Sequence, residues 1–146
     1  EVIGLMVGDT VTDADCEYKS GIEKYIHENG LENDIYAPGF RRDIADILAA
    51  TDCVIVPSSE GMPLTVLEAM CAKVRVVGMD SGGSNEVLKA SDCGEVFPAN
   101  GTEEDVAAAV LRVMEQDGGR LNNGYRFCEQ QNYENYSKGV HQVFET

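Results

Sequence analysis

Two glutamates, Glu60 and Glu68, are separated by seven residues and flank a loop and the first turns of a predicted helix. The apolar face of this helix is predicted to comprise Leu64, Leu67 and Cys71. Glu68 lies beside that face, where a buried carboxylate needs a cation, hydrogen-bond donors or the hydroxyls of a ligand to offset the cost of its burial. The spacing therefore predicts that Glu68 contacts a ligand.

The elements that must position these residues alternate between strands and helices. Strands are predicted at 2–7, 34–37, 53–56, 75–78 and 95–97, and helices around 18–26 and at 44–50, 63–71, after 82–83 and at 102–115. This order over short connections implies a Rossmann-like, doubly wound parallel α/β sheet. In such sheets ligands bind beyond the carboxyl ends of the strands, so the turns at 8–9, 39–40, 58–63 and 80–83 are expected to share that edge.

The charge of the chain is strongly one-sided. Its 146 residues, the size of one domain, include 26 acidic and 11 basic side chains, for a net charge of -15. Such a charge repels nucleic acid and anionic membrane surfaces, so neither is an expected partner. An anionic ligand would have to be held locally, by helix N-termini, glycine-rich turns or a few arginines.

The five cysteines include no C-x-x-C pair, and their odd number argues against a disulfide framework. Each is expected to be a small buried hydrophobe in a reducing, cytoplasmic setting. No cysteine has a suitably spaced histidine beside it, so no metal site is predicted. No stretch has the length of a membrane span, and because the chain starts at Glu1, we interpret it as a piece of a longer protein.

Four segments together form a specific motif. They are Pro-Ser-Ser-Glu-Gly-Met-Pro-Leu at 57–64, Leu-Glu-Ala-Met at 67–70, Val76-Val77, and Gly82-Gly83 followed by Glu86. The motif resembles the family 4 (group 1) glycosyltransferases, which are retaining enzymes of the GT-B fold. Their C-terminal domain binds a nucleotide-sugar donor and their N-terminal domain binds the acceptor. By this resemblance, residues 1–146 correspond to the donor-binding domain, with 119–146 as its tail helices.

The resemblance also implies roles for individual residues. Glu60 would be the catalytic residue and contact the transferred sugar, while Glu68 would accept hydrogen bonds from the ribose hydroxyls. The backbone N–H groups of Met62 and Leu64, after Gly61, would face the diphosphate. No metal or other cofactor is required for that arrangement.

Four further residues are assigned to donor binding. Gly8 lies in a turn that is similar to the family's glycine-Asp turn, and Arg41 would contact the base or phosphates. Gly82 and Gly83 would let the backbone approach the ligand. The plainer interpretations remain open: a solvated arginine pair at 41–42, a simple turn at Gly82-Gly83, and solvent-exposed charges at Glu60 and Glu68.

The chain departs from the family pattern in two places. Pro63 replaces a glycine found in many members, although proline suits a first helical position. The strand-loop-helix unit that carries the family's diphosphate-binding arginine and lysine would precede Val2. Without its strand, the sheet either closes in the order 2-1-3-4-5 or stays open. We expect the isolated chain to bind nucleotide weakly at best and to lack transferase activity.

Other function classes compete with this interpretation. Gly8 to Asp13 resembles the magnesium-binding motif of haloacid dehalogenase-like phosphatases, and Asp13-Ala14-Asp15 resembles the metal motif of the other glycosyltransferase fold. A non-catalytic nucleotide-binding module and a GT-B epimerase are further alternatives. The resemblance places the full-length enzyme in polysaccharide or glycolipid synthesis, in the cytoplasm or at the inner membrane face, and identifies neither sugar, base nor acceptor.

Overall fold

The computed structural model describes the backbone of residues 2–144 and the side chains of residues 2–135, 137, 138 and 141. The chain forms two compact units, Glu1–Ile44 and Ala45–Thr146. The elements in order are β1 (Gly4–Val7), α1 (Asp13–Glu28), β2 (Ile35–Gly39), α2 (Ile44–Ala49), β3 (Cys53–Val56), α3 (Leu64–Cys71), β4 (Arg75–Met79), α4 (Gly82–Ser91), β5 (Glu95–Phe97), α5 (Glu103–Met114), α6 (Gly118–Gln130) and α7 (Tyr133–Phe144). This alternation confirms the predicted α/β architecture.

The first unit consists of two parallel strands and one long helix. β1 pairs with β2, with Gly4 opposite Ile35 and Leu5 opposite Tyr36. α1 begins with a capping box in which the Thr12 hydroxyl accepts the Asp15 N–H and the Asp15 carboxylate accepts the Thr12 N–H, at 3.2 and 2.8 Å. This reciprocal pair satisfies two backbone donors that the helix start would otherwise leave free.

The second unit has three parallel strands in the order β3-β4-β5. Val76 and Val77, neighbours on the central strand β4, are both fully buried, as expected for a strand covered on its two faces. One face packs against α5, where Val77, Phe97, Ala109 and Val113 form a buried cluster. The helix that closes this layer begins after Thr102, whose N–H donates to the Asp105 carboxylate.

The sequence left two arrangements of the strands open, a closed sheet in the order 2-1-3-4-5 and an open one. The described strands form a two-stranded sheet, β1-β2, in the first unit and a three-stranded sheet, β3-β4-β5, in the second. β3 is therefore an edge strand, and its Ile55 side chain is 45% exposed.

The C-terminal segment is helical. Asp117 caps α6 by accepting the Gly119 N–H at 2.9 Å, and α6 packs against α3 and α4. The predicted tail at 119–146 thus falls on α6 and α7, and its last two residues lie outside the described residues. Within residues 2–144, no helix has both the length and the apolar character needed to cross a membrane.

Candidate functional site

The loop after β3 is attached to the start of α4. The Glu60 carbonyl accepts the Gly83 N–H at 2.7 Å, and Glu60 forms an isolated parallel bridge with Gly82. The Ser59 and Ser81 hydroxyls lie 2.9 Å apart and share a further hydrogen bond. The prediction that the turns at 58–63 and 80–83 meet is confirmed within the second unit.

Gly82 and Gly83 make this contact possible. A Cβ at Gly82 would lie 2.7 Å from the Glu60 carbonyl oxygen, and Gly82 has a φ of +62°, which disfavours other residues. A Cβ at Gly83 would lie 2.7 Å from the Gly61 carbonyl oxygen and 2.8 Å from Pro63 Cδ. Both glycines therefore bring the Glu60 loop close to α4. Their predicted role in approaching a ligand remains a prediction.

Glu60 is exposed, and its side chain is held by a neighbour. The Ser58 hydroxyl donates to Glu60 Oε1 at 2.6 Å. Ser58 was not among the residues predicted for the site, although a serine two residues before a loop glutamate is near enough along the chain to reach its carboxylate. Ser58 thus fixes one oxygen of the predicted catalytic carboxylate and leaves the other without a partner among the described side chains.

A cavity of about 360 Å³ lies beside this loop. Three of the predicted site residues, Glu60, Met62 and Leu64, contribute to its wall together with Ser58, Ile55 and Thr65. Met62 and Leu64 are 70% and 62% exposed, so the wall contains uncovered apolar surface beside a carboxylate. Polar and apolar surface contribute about equally to the wall, so a ligand there would meet both kinds of group.

The N-terminus of α3 faces this loop without a side-chain cap. The N–H groups of Met62 and Thr65, both exposed residues, have no hydrogen-bond partner in the described part of the chain. The Leu64 N–H, predicted to face an anion, instead donates to the Met62 carbonyl at 2.9 Å. The start of the helix still offers unpaired donors, at the predicted Met62 and at Thr65, one residue after the predicted Leu64.

The predicted environment of Glu68 is wrong. The buried face of α3 consists of Val66, Ala69 and Met70, whereas Leu64 and Cys71 are exposed. The sheet and α6 pack against the face formed by Val66, Ala69 and Met70, so Glu68 lies on the exposed side of α3. Its carboxylate has no hydrogen-bond or ion-pair partner among the described residues and does not line the cavity. Its ribose role now depends on the resemblance alone.

Two predicted residues belong to the first unit. Gly8, with a φ of +149°, donates its N–H to the Gly39 carbonyl at 3.1 Å. Arg41 forms a two-bond ion pair with Asp43, including Nε to Oδ1 at 2.8 Å. The Arg41 hydrogen bond lowers the pKa of Asp43 to about 2. A ligand at Arg41 would therefore have to compete with Asp43 for the guanidinium.

The acidic residues of the competing metal motifs have local structural roles. Asp15 caps α1, and Asp9 accepts the Thr10 N–H and pairs with Lys19 at 3.3 Å. The hydrogen bond from the Thr10 N–H, and to a lesser extent the interaction with Lys19, lowers the pKa of Asp9. In residues that the structure describes, no three histidine, cysteine or acidic side chains are grouped as metal ligands.

The family model described as Glycosyl transferases group 1 matches residues 4–116. The chain belongs to this glycosyltransferase family. The match covers the Glu60 loop, α3 and the Gly82-Gly83 turn together, so it supports a glycosyltransferase domain over the phosphatase alternative. A curated relative, the UDP-Gal:alpha-D-GlcNAc-diphosphoundecaprenol alpha-1,3-galactosyltransferase of Escherichia coli, is 30% identical over 107 residues.

Solved structures agree with this glycosyltransferase fold. The structures of Anabaena Alr3699/HepE in complex with UDP and with UDP-glucose each match 99% of this chain and 41% of their own, with a TM-score of 0.82 and 21% identity. The C-terminal domain of the group 1 glycosyltransferase LpcC from Francisella tularensis matches 88% of this chain and 84% of its own, with a TM-score of 0.69 and 18% identity. The chain spans 26% of the length of the Escherichia coli relative.

Proposed function

We propose that this chain binds a nucleoside-diphosphate sugar and that, in a longer protein, it supports transfer of the sugar with retention to an acceptor bound by another domain. The observation that carries the proposal is a cavity with Glu60 in its wall, next to a helix N-terminus with unpaired N–H groups. The likeness to HepE, crystallised with UDP and UDP-glucose, supports a donor of this class.

The diphosphate is proposed to bind at the start of α3. Breaking the bond between the anomeric carbon and the diphosphate leaves negative charge on the phosphate oxygens. The N–H groups of Met62 and Thr65 and the positive end of the helix dipole would stabilise that charge. Because these are backbone groups, the arrangement needs no metal, and we propose transfer without one.

Glu60 is proposed to act at the sugar. Its free oxygen would accept hydrogen bonds from the sugar hydroxyls and stabilise positive charge that develops on the ring, while Ser58 holds the other oxygen at 2.6 Å. The acceptor hydroxyl would arrive on the same face as the departing diphosphate. In this role Glu60 orients and stabilises the sugar and does not form a covalent bond to it.

The remaining donor contacts are proposed from the family resemblance. Glu68, exposed and unpaired within the described residues, is available to the ribose hydroxyls. Gly8, Gly61, Arg41, Gly82 and Gly83 remain proposed donor-binding residues. The isolated chain is proposed to be inactive, because the acceptor site would lie on another domain.

The setting of the reaction is proposed from relatives. The name of the Escherichia coli relative gives UDP-Gal as its donor and a diphosphoundecaprenol-linked sugar as its acceptor. This supports a role in polysaccharide or glycolipid synthesis. It is also consistent with a cytoplasmic enzyme acting at the inner membrane face.

A Glu60→Gln variant of the full-length protein tests the function. The amide keeps the size of the side chain and removes the charge that stabilises the ring, so we expect kcat for sugar transfer to fall about 100-fold or more. Transfer from a panel of radiolabelled nucleotide sugars, measured with and without EDTA, gives the rate and the metal requirement.

Glu129→Gln, on the exposed surface of α6, is the matched control and should transfer normally. Wild-type rates in Glu60→Gln would remove Glu60 from the reaction. Loss of all transfer in EDTA would contradict the metal-free arrangement. No transfer from any nucleotide sugar by the full-length protein would overturn the proposed function.

A further inference from the structure

Three of the five cysteines lie in or near the contacts between α6 and the rest of the second unit. Cys128 on this helix donates its thiol hydrogen to the Leu67 carbonyl at 3.5 Å, and Cys71 lies one turn after Leu67 on α3. Gly124, one turn before Cys128, packs on Cys93, because a Cβ there would lie 2.6 Å from Cys93 Sγ. The contact between α3 and α6 therefore brings cysteine thiols together from separate parts of the chain.

The three thiols differ in their access to solvent. Cys71 is exposed, Cys128 is half-buried, and Cys93 is 1% exposed. Burial, followed by the hydrogen bond and charge interaction with the Cys71 thiol, raises the pKa of Cys128 to about 12. Burial also raises the pKa of Cys93. Because Cys71 is the most exposed of the three thiols, an oxidant in solution would reach it first.

We propose that Cys71 and Cys128 form a peroxide-sensitive dithiol, which closes into a disulfide that joins α3 to α6. Both thiols are free in the structure, and the hydrogen bond from Cys128 to the carbonyl one turn before Cys71 places the two on the same side of the helix contact. This assignment is independent of the proposed transferase function, since neither cysteine lines the cavity.

The reaction proceeds in two balanced steps. The deprotonated sulfur of Cys71 attacks one oxygen of hydrogen peroxide, the O–O bond breaks, and the departing hydroxide takes a proton to leave as water. The product is a sulfenic acid at Cys71. The Cys128 sulfur then attacks Cys71 Sγ, the S–O bond breaks, and its thiol proton leaves with the hydroxide as a second water. Two thiols are oxidised and one peroxide is reduced.

Peptide mapping of the oxidised chain tests this disulfide. The reduced chain is treated with hydrogen peroxide, alkylated and counted for free thiols, which should fall from five to three. Cys53 and Cys71 share one tryptic peptide, so the digest also needs a protease that cuts after glutamate, at Glu60 and Glu68. We expect one peptide pair, linked through Cys71 and Cys128, that dithiothreitol separates.

Single substitutions supply the controls. Cys71→Ser changes an exposed side chain, and the variant should fold as the wild type, by circular dichroism, and form no disulfide. Cys16→Ser removes an exposed cysteine of the first unit and should leave the cross-link unchanged. Retention of all five thiols, a disulfide through Cys93, or oxidation of Cys71 to a sulfinic acid without cross-linking would each overturn the proposal.

Discussion

The two glutamates of the candidate site differ in how the protein holds them. Glu60 is attached at its carbonyl to Gly83 and at its carboxylate to Ser58. The Glu68 side chain has no hydrogen-bond or ion-pair partner among the described residues and is exposed on α3. An ordered carboxylate suits a reacting sugar, where position matters to the rate, whereas a mobile one must lose side-chain freedom when it binds a hydroxyl pair.

The proposed ribose contact gives a prediction at the residue scale. Glu68→Ala in the full-length protein should weaken binding of UDP about 10-fold or more, because hydrogen bonds to a charged group contribute about 1.5–3 kcal/mol. Isothermal titration with UDP, GDP and ADP measures the loss and also identifies the preferred base.

Glu129→Ala is the control for Glu68→Ala, since it removes an exposed glutamate from a different helix of the same unit. It should bind nucleotide as the wild type does. Undiminished affinity in Glu68→Ala would exclude Glu68 from the ribose site, without affecting the assignment of Glu60.

The sequence predicted which elements carry the two glutamates better than it predicted the surroundings of their side chains. α3 has eight residues and is apolar over much of its circumference, since its exposed face carries Leu64 and Cys71 and its buried face Val66, Ala69 and Met70. Periodicity in so short a helix permits more than one apolar stripe. Packing against the sheet and α6 selects one of them, and that information lies in distant residues.

At the scale of elements, the junction between the Glu60 loop and α4 depends on a glycine, Gly83, which has no side chain. Gly83 is buried with two backbone or ring atoms within 2.8 Å of where a Cβ would stand. A carbonyl and a proline ring cannot move aside as the end of a flexible side chain could. The loop and the helix must therefore separate if any other residue occupies this position.

Gly83→Ala should consequently destabilise the second unit by about 1–3 kcal/mol, the usual cost of forcing atoms into a packed site. The free energy of unfolding, measured by urea denaturation followed by circular dichroism, gives this loss. Gly118→Ala is the matched control: an added Cβ there meets no atom within 4 Å, and alanine favours a helix. Equal stabilities of the two variants would contradict the close contact at Gly83.

Local signals predicted some element boundaries to the residue and others within a few residues. The strands β3 and β5 have the predicted bounds, and the helix after Thr102 begins with the predicted cap. The helix predicted from Pro63 begins at Leu64, and Pro63 is its N-cap residue. These features depend on residues within a few positions of one another, so a single sequence contains enough information to locate them.

At the scale of the whole molecule, the sheet could not be predicted from local patterns. Which strands pair depends on segments that are distant in the sequence. Among the described strands, β1 pairs with β2, and β4 pairs with both β3 and β5. Sequence alternation identified the fold class correctly but did not determine which strands become neighbours.

The net charge of -15 predicts how salt affects the folded chain. Repulsion among the acidic residues opposes compaction, and salt screens it, so the thermal midpoint should rise between low and roughly physiological ionic strength. The ion pairs that salt also weakens are mostly exposed and contribute little.

Thermal unfolding followed by circular dichroism in increasing sodium chloride measures this effect, with an uncharged osmolyte of equal osmolarity as the control. The control separates charge screening from the general exclusion of solutes from the protein surface. A midpoint that falls or stays constant with salt would show that favourable ion pairs outweigh the repulsion.

The hydrogen bond from the Gly83 N–H to the Glu60 carbonyl also makes one amide proton a reporter for the loop. An amide proton exchanges with solvent only when its hydrogen bond opens, so the exchange rate at Gly83 measures how often the loop leaves α4. Because the acceptor belongs to the same residue as the proposed catalytic carboxylate, nuclear magnetic resonance of this single amide follows Glu60 without any label on its side chain. Slower exchange in the presence of a nucleotide sugar would mean that the donor holds the loop in place.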